Sequence, residues 1–230
     1  MGYKAVIFDL FGTLVDNFSV QEHERVLSEM AAALSVPAEE FIRLWTGETL
    51  DMRMRGFFPT VDGNIEHICR ALGVQADAGN VAEASRIRFE FTRRTLKPRP
   101  DALATLAQLK SAGCKAGLIT DCSREVPLLW PDTPFAPLVE VTVFSCDVGF
   151  RKPDPRTYLL ACERLQVEPR ECLYVGDGSS RELTGASQVG MHPVLIRVPY
   201  EDTYDAYRFD PEEWQGATIS ALKDILTLVP

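Results

Sequence analysis

Short apolar runs recur along the chain, and the first one lies near its start. The stretch Lys4–Asp9 is almost wholly apolar until it ends in a carboxylate, and a Gly-Thr turn follows soon after. A continuous apolar run bounded by turn residues is typical of a strand that is buried on both faces. We therefore predict a buried strand that presents Asp9 at the carboxyl edge of a parallel sheet.

Residues 15 to about 98 show apolar positions at helical spacing and no strand pattern. The first series has the spacing of one helix face: Val20, His23, Leu27, Met30 and Leu34. Three further series follow, and the pattern as a whole predicts an all-helical insertion of four helices. The insertion ends at Lys97–Pro100, where two prolines break the helix and predict a stiff hinge.

From Asp101 onward, helix and strand patterns alternate strictly. Strands are predicted near residues 115–120, 139–145, 171–176 and 192–198, with helices between them and a last helix around residues 219–226. Alternating units of this kind predict an α/β fold, with a parallel sheet covered by helices on both faces. The domain boundaries that follow are 1–14 with 99–230 for the core and 15–98 for the insertion. Pro199–Gly216 is predicted to be a surface loop.

Composition and charge restrict the classes of partner. The chain has 230 residues, a net charge of −9 and a pI near 4.9, so it repels nucleic acids and anionic membranes as general partners. No apolar run approaches the ~20 residues of a membrane span. The six cysteines are scattered without metal-ligand spacing, which is typical of reduced core residues, and we expect a cytoplasmic protein, either a monomer or a homodimer.

Polar side chains stand where the predicted strands end. Asp9, Thr120 with Asp121, and Asp177 occupy such positions, and Lys152 follows another strand after a short loop. Carboxylates suit a hard cation such as Mg²⁺, which also binds substrate phosphates. A cation and an ammonium group would neutralise a phosphoryl group, and positioning with charge neutralisation is most of what phosphoryl transfer requires. The expected substrate is therefore a small anion, and a phosphorylated one fits best.

Four motifs in this order resemble the haloacid dehalogenase (HAD) superfamily of hydrolases. They read FDLFGTL, GLITD, RKPDP and YVGDGSSRE, and each lies at a predicted strand end. The resemblance implies a Rossmann-like core with a helical cap, inserted after the first motif, that opens and closes over the site.

The resemblance also implies a role for each matching residue. Asp9 would be the nucleophile that forms an aspartyl phosphate, and Thr120 and Lys152 would contact the phosphate. Thr13 and Asp121 would lie beside the substrate. The implied Mg²⁺ ligands are Asp9, the Phe11 carbonyl, Asp177 and Glu182.

The position two residues after Asp9 departs from the phosphatase pattern. Phosphatases of this superfamily usually carry a second aspartate there, which protonates the leaving alcohol, and this chain has Phe11. General acid–base help is worth ~10²–10⁴-fold in rate. Three interpretations remain open: a magnesium-dependent phosphatase, a 2-haloacid dehalogenase that uses Asp9 on carbon, and a low-turnover regulatory protein that binds phosphate or metal.

Substrate choice should come from the helical insertion. The stretch Thr46–Gly63 joins two predicted helices and contains Arg53 and Arg55, either of which can bind a substrate anion. We expect Arg88, near the end of the insertion, to lie on a solvated helix face. We expect His23 to be packed within the insertion.

Overall fold

The computed structural model describes residues 2–201 and 205–229. Its sheet contains six parallel strands in the order β3-β2-β1-β4-β5-β6. The strands are β1 Ala5–Phe8, β2 Lys115–Thr120, β3 Val141–Phe144, β4 Cys172–Gly176, β5 His192–Ile196 and β6 Ala217–Ile219. The predicted parallel α/β sheet is confirmed.

The helices alternate with the strands except in the insertion after β1. They are α1 Val20–Leu34, α2 Ala38–Arg43, α3 Leu50–Met54, α4 Val61–Ala71, α5 Ala78–Thr95, α6 Ala102–Ser111, α7 Glu125–Leu129, α8 Ser145–Val148, α9 Pro155–Leu165 and α10 Glu182–Gln188. The prediction of a last helix beginning near Ile219 is wrong, because that residue pairs with β5 in the sixth strand. A 3-10 helix, Leu222–Thr227, follows it.

The two faces of the sheet are covered by different helices, as predicted. Val6 and Phe8 of β1 join one buried cluster with Leu106 of α6. Their neighbours Ala5 and Ile7 join a second cluster that contains residues of α9 and α10. Because successive side chains of a strand point to opposite faces, four consecutive apolar residues serve both clusters.

The insertion has an apolar core of its own. Leu27 and Met30 of α1 pack in one buried cluster with Phe91 of α5 and with residues of α2 and α4. The predicted fold, a Rossmann-like sheet with an inserted helical cap, is confirmed. The exact boundaries at residues 15 and 98 stay a prediction.

The stretch after α2 was predicted as a connection and is partly helical. Leu44–Glu48 forms a π-helix, in which the Thr49 amide donates to the Leu44 carbonyl at 2.9 Å. The Thr49 hydroxyl donates to the same carbonyl at 2.9 Å. The wide turn is therefore hydrogen-bonded, and α3, which carries Arg53, follows it directly.

The chain enters and leaves the cap through two adjacent segments. Val15 and Pro98 form an antiparallel bridge, and the Arg99 amide donates to the Leu14 carbonyl at 3.0 Å. The buried Arg99 guanidinium pairs with Asp16 at 2.9 Å. The two connections therefore lie side by side, and the hinge role of Lys97–Pro100 stays a prediction.

Two further features concern the expected environment. All six cysteines are buried and unbridged, which agrees with their predicted place in the core. Across residues 2–201 and 205–229, no helix combines the length and the apolar character needed to cross a membrane.

The packing of α6 against the sheet can be tested with two leucines. Leu106 is fully buried, so Leu106→Ala should lower the free energy of unfolding by about 2–5 kcal/mol through lost contacts and a cavity. Leu128 is 64% exposed, and Leu128→Ala should change it by less than about 0.5 kcal/mol. Urea denaturation measures both free energies, and equal losses would contradict the burial of Leu106 against the sheet.

Candidate active site

The carboxyl edge of the sheet brings four sequence motifs together. Asp9 follows β1, Thr120 ends β2, and Asp177 follows β4. Because β1 lies between β2 and β4, these three side chains occupy neighbouring positions. Lys152 lies in the loop after β3 and α8 and reaches the same place.

Lys152 links two buried carboxylates. Its Nζ lies 2.6 Å from Asp9 Oδ1 and 2.5 Å from Glu182 Oε2. Glu182 is also held by the Tyr174 hydroxyl, which donates to Oε2 at 2.8 Å, and by the Gly178 amide, which donates to Oε1 at 3.0 Å. Three donors therefore fix Glu182 at the first residue of α10.

The turn after Asp9 leaves no room for larger residues. Gly12 has a positive φ of 81°, and a Cβ there would lie 2.6 Å from Asp177 Oδ2. Thr13, next in the turn, donates its hydroxyl to Asp9 Oδ2 at 3.3 Å. The Gly-Thr turn therefore brings the first and fourth motifs into contact and orients Asp9 from one side.

Three buried carboxylates converge at this edge. Ligand oxygens of Asp9, Asp177 and Glu182 all lie within 4.8 Å of one another. Hard cations such as Mg²⁺ take oxygen ligands of this kind, so the residues fit the expected metal. On its other side, Asp177 Oδ2 faces Asn17 Nδ2 at 3.1 Å and Arg208 Nε at 3.3 Å.

Burial shifts the pKa values of two of these carboxylates, Asp9 and Glu182, upward. Burial, partly offset by the Lys152 ammonium and reinforced by Asp177, raises the pKa of Asp9 to about 6. Burial likewise raises the pKa of Glu182, again against the effect of Lys152. Although burial alone would lower it, the Asp9 and Glu182 carboxylates raise the pKa of Lys152, so this ammonium stays charged.

Thr120 and Asp121, at the end of β2, differ in how they are engaged. The buried Thr120 hydroxyl has no hydrogen-bond partner among the described residues, so it is available to a ligand. Asp121 Oδ1 accepts from the Lys152 amide at 3.0 Å, and Oδ2 lies 3.3 Å from Arg151 Nε. Asp121 therefore positions the Lys152 loop, although it also lines the cavity beside Asp9.

Phe11 lines the same cavity with a half-buried ring. It packs edge-on against Phe18, with ring centroids 5.9 Å apart, and Phe18 stacks on Tyr207 at 4.9 Å. An aromatic ring therefore occupies the position at which the phosphatase pattern has a second aspartate. The metal contact expected of the Phe11 carbonyl stays a prediction.

The two candidate arginines of the cap have different surroundings. Arg53 is 6% exposed, lines the cavity, and donates from Nη1 to the Trp45 carbonyl and to Thr49 Oγ1, each at 2.9 Å. Arg55 is an exposed side chain that pairs with Asp51 at 2.7 Å. It is not among the residues that line the cavity, so of these two arginines only Arg53 does. Binding of a substrate anion by Arg53 stays a prediction.

Comparison with known proteins agrees with this geometry. Residues 3–190 match the family model of haloacid dehalogenase-like hydrolases. The chain belongs to this family of hydrolases. The predicted resemblance to the HAD superfamily is thereby confirmed.

Individual HAD relatives divide between two chemistries. Glyceraldehyde 3-phosphate phosphatase from Methanopyrus kandleri is 28% identical over 202 residues, which is 84% of each chain. (S)-2-haloacid dehalogenase 4A from Burkholderia cepacia is 27% identical over 227 residues, covering 97% of this chain and 94% of the relative. The two identities are nearly equal, so they do not indicate which of the two activities this chain has.

A solved HAD structure shares the fold. The enzyme is from Bacteroides thetaiotaomicron and was solved in complex with magnesium and inorganic phosphate. It superposes with a TM-score of 0.65 at 15% identity and covers 88% of this chain and 98% of that chain.

Sequence reasoning missed one charged group of this HAD site. Arg88 was expected on a solvated face, but it is buried and lines the cavity. Its Nε donates to Glu125 Oε1 of α7 at 2.6 Å, and Nη1 lies 3.2 Å from His23 Nε2. The signal was its position on the apolar stripe of α5, between Ala84 and Phe91, which a solvated arginine would not occupy.

The described residues of the predicted surface loop Pro199–Gly216 form no helix or sheet strand, and some of them also line the cavity of the HAD site. Residues 202–204 of this stretch lie outside the described residues. Tyr207 and Phe209 line the cavity, and Arg208 joins Asp177 to Glu201, 2.8 Å from its Nη2. The aromatic residues of this otherwise charged segment were the sequence signal that part of it packs against the rest of the protein.

His23 in the cap of this HAD hydrolase should remain uncharged. Burial and then the Arg88 and Arg53 cations lower its pKa to about 3, so its Nε2 can accept from Arg88. The unfolded chain takes up a proton at this residue below a pH of about 6.5, whereas the folded chain does not. Acid should therefore favour unfolding through this group.

Between pH 6.5 and 5, this linkage should remove roughly 1.5–2 kcal/mol of stability from the parent protein. In His23→Gln that loss should be absent, while the exposed His192→Gln variant should keep it. Urea denaturation at both pH values gives the differences. A parallel pH dependence of parent and His23→Gln would contradict a neutral, buried His23.

Proposed function

We propose that this HAD hydrolase is a magnesium-dependent phosphatase that acts on a small phosphorylated metabolite through an aspartyl phosphate at Asp9. The observation that carries the proposal is the buried set of Asp9, Asp177 and Glu182, two of which contact Lys152. Next to this set lies the Thr120 hydroxyl, which has no hydrogen-bond partner among the described residues. A set of this kind binds a cation and a phosphoryl group together.

Charge balance supports the presence of a cation. Asp9 and Glu182 share the Lys152 ammonium, and the third carboxylate, Asp177, forms an ion pair only with Arg208 among the described residues. Arg208 also pairs with Glu201, so negative charge is in excess at the three-carboxylate cluster. Asp9, Asp177 and Glu182, with the Phe11 carbonyl, would hold Mg²⁺, which when bound neutralises phosphoryl charge. The magnesium and phosphate bound to the structural neighbour from Bacteroides thetaiotaomicron support the same choice.

The remaining residues would bind the phosphoryl group and orient the attack. Lys152 holds Asp9 Oδ1, and Thr13 contacts Oδ2, so the carboxylate is fixed from two sides. The Thr120 hydroxyl donates to a phosphoryl oxygen, which supplies its missing partner. An Asp9 oxygen attacks phosphorus, the bond to the leaving oxygen breaks, and water later attacks the same phosphorus to release phosphate and restore Asp9.

The leaving group lacks a proton donor at the usual position. Phe11 has no acidic proton, so a leaving alkoxide takes its proton from water. This step makes the enzyme slow with poor leaving groups. The cavity volume of about 100 Å³ lies below the ~300–1,000 Å³ of pockets for drug-sized ligands and favours a small substrate, like the one that names the phosphatase relative.

A second candidate is the hydrolysis of 2-haloacids by attack of Asp9 on carbon. The observation in its favour is Phe11, since a halide leaves without a proton. The similarity to (S)-2-haloacid dehalogenase 4A supports it as well. The three-carboxylate cluster argues against this second activity. Attack on carbon needs no cation, so Asp177 and Glu182 would have no metal ion to bind.

A screen of phosphate monoesters and 2-haloacids, each with and without Mg²⁺, tests the proposal. Phosphate release that requires Mg²⁺ is expected, and metal-independent halide release alone would overturn it. Asp9→Asn should lower the rate by at least about 10⁴-fold, because the nucleophile is removed. Asp132→Asn, at an exposed position, is the matched control and should keep the parent rate.

Replacement of Phe11 tests the role of the missing acid. Phe11→Asp should raise kcat for ethyl phosphate by about 10²-fold, because an alkoxide needs a proton. The same variant should change the rate for p-nitrophenyl phosphate much less, since that leaving group departs as an anion. Phe11→Asn controls for the loss of the ring. An equal effect of Asp and Asn on both esters would mean that proton donation does not limit the rate.

A further inference from the structure

Two buried arginines of the cap line the same cavity as the core residues of the proposed active site. Arg53 comes from α3 and Arg88 from α5, whereas Asp9 and Lys152 come from the sheet edge. The cap therefore supplies positive charge to a cavity that already holds the site for a phosphoryl group.

Among the described residues, only one of these two arginines forms a direct ion pair with a carboxylate. Arg88 pairs with the Glu125 carboxylate at 2.6 Å and contacts His23 at 3.2 Å. Arg53 donates from Nη1 to a carbonyl and a hydroxyl, and no carboxylate pairs with it in the part of the chain that the structure describes. A buried cation without a counter-ion is costly, and a bound anion would compensate it.

The unused edge of Arg53 has the shape of a carboxylate site. Its Nε is buried without a partner, and none of the described residues accepts a hydrogen bond from Nη2. The Nε–Nη2 edge presents two parallel N–H groups, which match the two oxygens of a carboxylate.

The surroundings hold this edge in place. The guanidinium carbon lies 4.2 Å from the centroid of the Trp45 ring, and the Nη1 bonds fix its rotation. The cavity wall near the cap is apolar and aromatic and includes Leu50, Met54 and Phe91. Such a wall suits a short carbon chain between two anionic ends.

We infer that the substrate carries a carboxylate in addition to its phosphoryl group, and that Arg53 binds this carboxylate. The inference rests on the proposed phosphatase activity and makes it specific: the substrate class is a small phosphorylated carboxylic acid. The small volume of the cavity favours a compact planar anion at Arg53 over a second phosphoryl group.

The first test compares two esters that differ only in this group. 2-Phosphoglycolate carries the carboxylate, and ethyl phosphate carries a methyl group in its place. The parent protein should show a kcat/KM about 10- to 100-fold higher for 2-phosphoglycolate, the usual effect of one charge-assisted pair. Hydrolysis of both esters with equal kcat/KM would overturn the inference and leave the proposed function intact.

Variants then assign the difference to Arg53. Arg53→Met should reduce kcat/KM for 2-phosphoglycolate about 10- to 100-fold more than kcat/KM for ethyl phosphate, mainly through KM. Arg53→Lys keeps the charge and should retain part of the preference. Arg43→Met removes an exposed cap arginine and serves as the control. An equal loss with both esters in Arg53→Met would mean a structural role and overturn the inference.

Binding of non-hydrolysable analogues keeps the test independent of turnover. Calorimetry compares 3-phosphonopropionate with propylphosphonate, and 4-phosphonobutyrate with butylphosphonate. The two pairs test two distances between the phosphonate and the carboxylate. At least one acid should bind the parent about 10- to 100-fold more tightly than its partner, and Arg53→Met should abolish the gap. Equal binding within both pairs would overturn the inference. Absence of phosphatase activity together with this gap would overturn only the proposed function.

Discussion

The contact of Lys152 with Asp9 and Glu182 is the interaction on which the rest of the site depends. Three carboxylates in one buried place repel each other and lose hydration, so their convergence requires a fixed positive charge. The surrounding structure keeps this lysine in position, because Asp121 binds the Lys152 amide and Asp154 caps α9 just beyond it. The geometry of Asp9 therefore depends on a loop distant from it in sequence.

Charge pairing also links the cap to the core. The buried pair between Arg88 of α5 and Glu125 of α7 crosses the boundary between the helical insertion and the sheet domain. On the core side, Ser123 donates to the same Glu125 oxygen at 2.8 Å. The network therefore joins the cap to the core beside the cavity, which both Arg88 and Ser123 line.

Phe11 is the residue on which the two candidate activities differ. In either of them Asp9 would be the nucleophile, so its contacts with Lys152 and with the Gly-Thr turn would serve attack on phosphorus or on carbon equally well. The aromatic ring removes the proton donor, whereas the acidic cluster at Asp177 and Glu182 retains the ligands for a cation. The proposed phosphatase therefore keeps the electrostatic part of catalysis and lacks the acid–base part.

The sequence by itself determined the sheet, the helical insertion and the positions of Asp9, Thr120, Lys152 and Asp177, because local apolar periodicity and strand ends reveal them. Only the tertiary structure decided that Arg53 is buried while Arg55, two residues later, is exposed. It also decided that Arg88 meets Glu125, that Tyr207 lines the cavity, and that the segment at Ile219 is a strand. These outcomes depend on partners far away in the chain. A distant carboxylate, aromatic ring or strand edge stabilises a residue in a place that the local sequence pattern does not predict.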